Sequence, residues 1–180
     1  GIKGGLGTAS EALPSGIIVA AIVAVNSLGS LIDPETGRFW EIRQEAGSEF
    51  GELGKRAVKL PPPPEASAGR NTTIGVIATN AVLTKAQAQK IAQMAHDGFA
   101  RAIRPSHTMF DGDTIFCLGT NKRKLPATHG FFASPTAEML TEMGRSAADC
   151  MTRAVIRGVL EATSLCGIRA FRDLDAHGEA

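Results

Sequence analysis

The hydrophobic positions of this chain follow two different periods, which alternate along the sequence. Apolar and β-branched stretches at residues 17–26, 73–80 and 114–120 predict strands. The stretch 17–26 is continuously apolar, so we expect its strand to be buried on both faces.

Two longer segments have the period of amphipathic helices. Thr84 with Gln87 three residues later predicts a capping box, and Pro105 should end this first helix. Its core-facing positions recur every four residues: Ile91, Ala95 and Phe99. Ser134-Pro135, a capping residue followed by proline, predicts the start of the second helix. Strands that alternate with such helices exclude an all-α or all-β fold and indicate an α/β domain.

A flexible loop runs directly into the second predicted strand. Residues 61–70 hold four consecutive prolines followed by small and charged residues, and Asn71-Thr72 joins them to the strand. If the Asn71–Thr72 bond were cut, Thr72 would carry a free amine beside its own hydroxyl, as an N-terminal threonine nucleophile requires. The pKa of an α-amino group, about 7.7–8.0, also suits a general base at neutral pH.

Two plainer explanations of Thr72 compete with this one. A threonine is common where a loop meets a strand, and Asn71-Thr72-Thr73 also fits the acceptor pattern for N-glycosylation. We discount glycosylation because no secretion signal accompanies the pattern. With the loop and the strand around it, we favour the nucleophile.

Composition and charge narrow the possible partners. The 19 Lys and Arg residues nearly balance the 18 Asp and Glu residues, which gives no electrostatic reason to expect a nucleic-acid or membrane partner. Three widely spaced cysteines predict neither a disulfide framework nor a zinc knuckle. We expect a cytoplasmic protein without a cofactor, since no stretch has the length of a signal or membrane span.

Several segments together resemble one known family. They are residues 71–81, 83–88, 94–98 and 107–114, with weaker likeness at 1–10 and 23–26. They are similar to the self-processing N-terminal-nucleophile aminopeptidases, which include L-aminopeptidase/D-esterase, the β-peptidyl aminopeptidases and the endo-type nylon-oligomer hydrolases. No single segment would be specific, but the combination is.

The resemblance implies an α-β-β-α four-layer sandwich of the ornithine-acetyltransferase-like type. Part of the sheet precedes the glycine-rich motif in that family, so we expect residues 1–180 to form a single catalytic domain that lacks its amino-terminal part. Self-cleavage between Asn71 and Thr72 would leave 1–71 as the end of a larger α chain and 72–180 as a smaller β chain. The resemblance also implies homo-oligomers of processed units.

The resemblance further implies that four residues assist Thr72. Asn26 and Lys3 would stabilise the developing oxyanion, although Lys3 could equally be a solvent-facing lysine. Asp111 and Asp113 match an acidic pair that assists the nucleophile in the nylon-oligomer hydrolases, and their spacing points both the same way if the backbone is extended. The alternatives are an Asp-Gly turn or a metal site with His107, whose spacing matches no established loop.

The expected activity is therefore hydrolysis of amides through an acyl-enzyme. The substrates would be short peptides, amino-acid amides, β-peptides or 6-aminohexanoate oligomers. Two alternatives remain open at this point. One is an acyltransferase like ornithine acetyltransferase, and the other is an inactive fragment that serves only binding or assembly.

Overall fold

Four strands form one sheet in the computed structural model, which describes residues 1–62, 71–127 and 134–176. In sequence order and in sheet order they are β1 (Leu6–Ala12), β2 (Ile18–Ala24), β3 (Ile74–Ala81) and β4 (Thr114–Arg123). The first three strands are antiparallel, and β4 is parallel to β3. A parallel neighbour needs a crossover connection, and a helix between β3 and β4 supplies it.

The helices are a short α1 (Gly51–Gly54), the crossover helix α2 (Lys85–Ala102) and the long α3 (Pro135–Glu161). The predicted capping box is confirmed, because Thr84 and Gln87 each accept a hydrogen bond from the other's backbone N–H. The start of α3 is also confirmed, since the Ser134 side chain caps it. Single 3-10 turns lie at Ile42–Gln44 and Phe171–Asp173.

Helices α2 and α3 pack against each other and against one face of the sheet. Alternate strand residues point into this layer, among them Val19, Val23 and Ile77, all of which are buried. The approach between β1 and α3 is close: a Cβ added to Gly7 would lie 2.0 Å from the carbonyl oxygen of Ala154. Glycine at this position therefore lets the helix backbone reach the sheet.

The opposite face of the sheet is open in the described part of the chain. The prediction that the strand at 17–26 is buried on both faces is wrong, because Ile18 and Ile22 are 46% and 42% exposed. Other large apolar residues extend this face: Leu6, Ile74, Phe116 and Leu118. The described residues thus form one sheet and one helical layer of the implied four, and the mixed α/β class is confirmed.

Two further predictions concern the proline-rich loop and the absence of a membrane span. The proline-rich loop was predicted at 61–70, but residues 63–70 lie outside the described ranges. No helix within those ranges has both the length and the apolar character needed to cross a bilayer.

Candidate active site

The Asn71–Thr72 junction extends the pairing of β3 with β4 beyond both strands. Asn71 forms a parallel bridge with Asp111, so the register places Thr72 beside Gly112. A Cβ added to Gly112 would lie 2.9 Å from Thr72 Oγ1, which is closer than real Cβ atoms approach an oxygen. The threonine hydroxyl therefore occupies a space that depends on glycine opposite it.

The carbonyl oxygen of Asn71 accepts two hydrogen bonds. Thr72 Oγ1 donates one over 2.6 Å, and the backbone N–H of Gly112 donates the other over 3.1 Å. On the other side of the same peptide bond, the Thr72 N–H donates to the carbonyl oxygen of Asn26 over 2.8 Å. A hydroxyl and a fixed N–H donor thus meet at one carbonyl, as in sites that stabilise an oxyanion.

Asp113 is bonded at both of its carboxylate oxygens. Oδ1 accepts from the backbone N–H of Thr73 over 2.9 Å, and Oδ2 lies 2.9 Å from His107 Nδ1. The Asp113 side chain is only 5% exposed. Two partners suit a carboxylate that is almost withdrawn from water, because an unpaired buried charge is costly. Asp113 therefore fixes the peptide group that directly follows Thr72.

Asp111 ties two loops together next to the junction. Its Oδ2 accepts from the Thr108 hydroxyl over 2.6 Å and from the Thr108 N–H over 3.1 Å. Its Oδ1 accepts from the Leu28 N–H over 3.3 Å. The carboxylate thereby connects the loop before β4 to the segment that follows Asn26.

Of the four residues expected to assist Thr72, the structure places Asn26, Asp111 and Asp113 beside the Asn71–Thr72 junction, each through a contact with the backbone. Asn26 binds Thr72 by its main-chain carbonyl, and Asp113 binds the N–H of Thr73. The backbone of Asp111 pairs with Asn71, while its carboxylate binds Leu28 and Thr108. Lys3 makes its described polar contacts elsewhere: its ammonium donates to Gly4 over 2.8 Å and its N–H to Arg169 over 2.8 Å.

The sequence assigned no role beside Thr72 to two residues of the site. Gly112 resembled part of an Asp-Gly turn, and His107, six residues before Asp113, was a candidate only for a metal site. His107 has a positive φ of 54°, and its ring lies with its centroid 5.0 Å from that of His96. Burial first, and His107 second, lower the pKa of His96, which favours a neutral imidazole there.

Other nucleophiles and metals find little support in the described ranges. Burial raises the pKa of the Cys117 and Cys150 thiols to about 11, so few of them are thiolates at neutral pH. Cys166 is exposed but lies outside the junction. Among the described residues, no three His, Cys, Asp or Glu side chains are grouped so that they could hold a metal ion.

A cavity of about 790 Å³ opens beside the junction and reaches Asn71 and Asn26. Its wall is mostly apolar, with contributions from Leu28, Leu31, Trp40 and Leu60. Arg104 contributes a charged side chain to the wall, and its guanidinium lies 4.4 Å from the centroid of the Trp40 ring. A volume of this size and a mostly apolar lining are typical of small-molecule sites.

Thr73 offers a stability test that is separate from catalysis. Its side chain is fully buried, and Oγ1 has no hydrogen-bond partner among the residues that the structure describes. Thr73→Val should therefore raise stability by about 1 kcal/mol, because a buried hydroxyl without a partner costs desolvation energy. The midpoint of thermal unfolding measures the change.

The matched control is Thr79→Val, a second buried threonine, which lies on β3 six residues further along the chain. The Thr79 hydroxyl accepts from the Ala81 N–H over 3.2 Å, so this variant should lose about 1 kcal/mol. Equal destabilisation by both variants would mean that the Thr73 hydroxyl is bonded in solution.

Comparison with known proteins shows the family of this chain. The profile described as Peptidase family S58 matches residues 1–172. An uncharacterized aminopeptidase of Mycobacterium bovis is 41% identical over an alignment of 188 positions, gaps included, which covers 96% of this chain and 52% of the relative. The 6-aminohexanoate-oligomer endohydrolase of Paenarthrobacter ureafaciens is 30% identical over 149 residues, or 77% of this chain and 39% of the relative.

A solved structure shows the same fold. The L-aminopeptidase D-Ala-esterase/amidase of Ochrobactrum anthropi, described as a variant of the Ntn hydrolase fold, superposes with a TM-score of 0.57 at 21% identity. The match covers 94% of this chain and 44% of that one. The chain spans about half the length of the curated aminopeptidases that it matches. Since the profile matches residues 1–172 of the 180, the chain belongs to peptidase family S58.

Proposed function

We propose that the protein carrying this chain is a self-processing hydrolase of linear amide bonds, with Thr72 as its nucleophile. The observation that carries the proposal is the pair of hydrogen bonds to the Asn71 carbonyl oxygen, from the Thr72 hydroxyl and the Gly112 N–H. Cleavage after Asn71 would divide the chain into residues 1–71 and residues 72–180.

Self-cleavage begins when Thr72 Oγ1 attacks the carbonyl carbon of Asn71. Negative charge then develops on the carbonyl oxygen, where the Gly112 N–H already donates a hydrogen bond. Collapse breaks the C–N bond, leaves Asn71 as an ester on Oγ1 and transfers the hydroxyl proton to the released amine. Water hydrolyses the ester and restores the hydroxyl.

The released amine then serves as the base for turnover. The Asn26 carbonyl, which accepts the Thr72 N–H before cleavage, would hold the amine afterwards and leave its lone pair for the hydroxyl. With a pKa of about 7.7–8.0, about a tenth of such amines are free base at pH 7. Turnover repeats the same chemistry on a substrate carbonyl, with the Asn26 side-chain amide and Lys3 as proposed oxyanion donors.

The cavity beside Asn71 points to the substrate class. Its apolar wall suits the carbon chain of a short amide, and its lining includes Asn71 and Asn26, which both bind Thr72 through their carbonyl oxygens. A relative is named for 6-aminohexanoate oligomers and others for aminopeptidase activity. We therefore propose short peptides, amino-acid amides and ω-amino-acid oligomers as substrates.

Intact-mass measurement and amino-terminal sequencing of the full-length protein test the proposal. We expect two chains, with the smaller one beginning Thr-Thr-Ile. A reactive ester should then add its acyl group to the smaller chain, at the threonine hydroxyl. A preparation that hydrolyses amides while its Asn71–Thr72 bond stays intact would contradict the proposal.

A further inference from the structure

We propose that His107 is a positioning residue for the nucleophile, acting through Asp113. The inference rests on the proposed function of Thr72 and adds to it a residue that does not itself touch the reacting atoms. It starts from a chain of two hydrogen bonds that leads from the imidazole to the peptide group after Thr72.

The direction of both bonds follows from the groups involved. A carboxylate can only accept, so the bond between His107 Nδ1 and Asp113 Oδ2 requires the proton on Nδ1. The other oxygen, Oδ1, accepts from the Thr73 N–H. His107 therefore fixes the rotation of a carboxylate whose second oxygen holds the Thr73 backbone.

The imidazole is itself held in place. His107 has a backbone φ of 54°, in the left-handed region, which histidine tolerates better than most residues. Its ring lies with centroid distances of 5.0 Å to His96 and 6.1 Å to Phe99, both on α2. The contacts with α2 therefore hold the imidazole ring in place, and the ring in turn holds the Asp113 carboxylate through its hydrogen bond.

Loss of this support should act on Thr72. The Asp113 side chain is 5% exposed, so a carboxylate without its Nδ1–H donor will rotate toward another partner or toward water. The Thr73 N–H then loses its fixed acceptor, and the peptide group that sets the direction of Thr72 is freed. Displacement of a reacting group by about 1 Å can reduce a rate by about a hundredfold.

Two substitutions of equal size separate hydrogen bonding from packing. His107→Asn and His107→Asp both tolerate the left-handed backbone and both remove the ring contacts with α2. The asparagine Nδ2 can donate to Asp113 from about the place of the imidazole Nδ1, whereas an aspartate cannot donate and repels the carboxylate. His107→Gly removes the donor without adding charge or strain.

The readouts are the rate of Asn71–Thr72 cleavage in the full-length protein, and kcat and KM of the processed material. We expect His107→Asn to stay within about fivefold of the parent, and His107→Asp and His107→Gly to fall about tenfold to a hundredfold in cleavage rate and kcat. KM should change by less than about twofold, because His107 does not line the substrate cavity.

Either of two results would overturn the inference. In one, His107→Asp or His107→Gly cleaves as fast as the parent, so the donor is not needed. In the other, all three fall equally, so only the ring packing matters. Failure of the underlying function is seen separately, in Thr72→Ala: if that variant still hydrolyses amides, Thr72 is not the nucleophile whatever the His107 variants do.

Discussion

Replacing Thr72 by alanine should leave a folded but uncut chain, in which amide hydrolysis is at least about a thousandfold slower than in the parent. The reason is that, under the proposed function, one hydroxyl would carry out both reactions: it would cut the chain, and it would then attack the substrate. Its only described partner is the adjacent Asn71 carbonyl, so little folding energy depends on it. Intact mass, circular dichroism and a steady-state assay give the three readouts.

Thr72→Ser is the matched control for this variant. Serine keeps the hydroxyl and the future α-amine and loses only a methyl group, so we expect cleavage and turnover within about tenfold of the parent. If the alanine variant is still cut at the same bond, or if alanine and serine reduce turnover equally, the nucleophile lies elsewhere in the protein.

Replacing Gly112 by alanine should slow self-cleavage by about a hundredfold while the fold stays almost as stable. The new Cβ would lie 2.9 Å from Thr72 Oγ1, so the hydroxyl would have to turn away from Asn71. Gly112 does not have the positive φ of Gly16 or Gly167, so its backbone can accept an alanine. The rate of appearance of the chain that starts at Thr72 measures the effect.

Gly75→Ala provides a control on the neighbouring strand. Its Cβ would lie 2.6 Å from Met151 Cε in the layer between β3 and α3, away from the hydroxyl. This variant should lose about 1–3 kcal/mol of stability and cleave within about threefold of the parent. We thus expect opposite patterns from the two alanines. A Gly112→Ala protein that cleaves normally would show that Thr72 adapts without cost.

The local elements were predictable because their signals lie within a few neighbouring residues. The capping box at Thr84 and the cap at Ser134-Pro135 each depend on groups three positions apart at most, and both helices begin there. The strand predicted at 73–80 also forms, as β3, and the Asn71–Thr72 junction directly precedes it. The resemblance added the family, because several short segments matched together.

The burial of β2 was not predictable in the same way. An apolar run does not say which other layer covers it, and half of its residues face a side that the described chain leaves open. The acidic pair shows a similar limit. Its spacing predicts a common direction only if the backbone is extended, and only the folded chain shows that both carboxylates bind backbone N–H groups.

By itself, then, the sequence determined an α/β chain in which a threonine follows a proline-rich segment at the start of a strand, because propensity, capping and chemical type are local properties. Only the tertiary structure decided what surrounds that threonine. The parallel register of β3 and β4 sets Gly112 against its hydroxyl, and the packing of α2 brings His107 to Asp113. Residues some forty positions apart meet there through strand pairing and helix packing, and neither leaves a pattern in the residues on either side of Thr72.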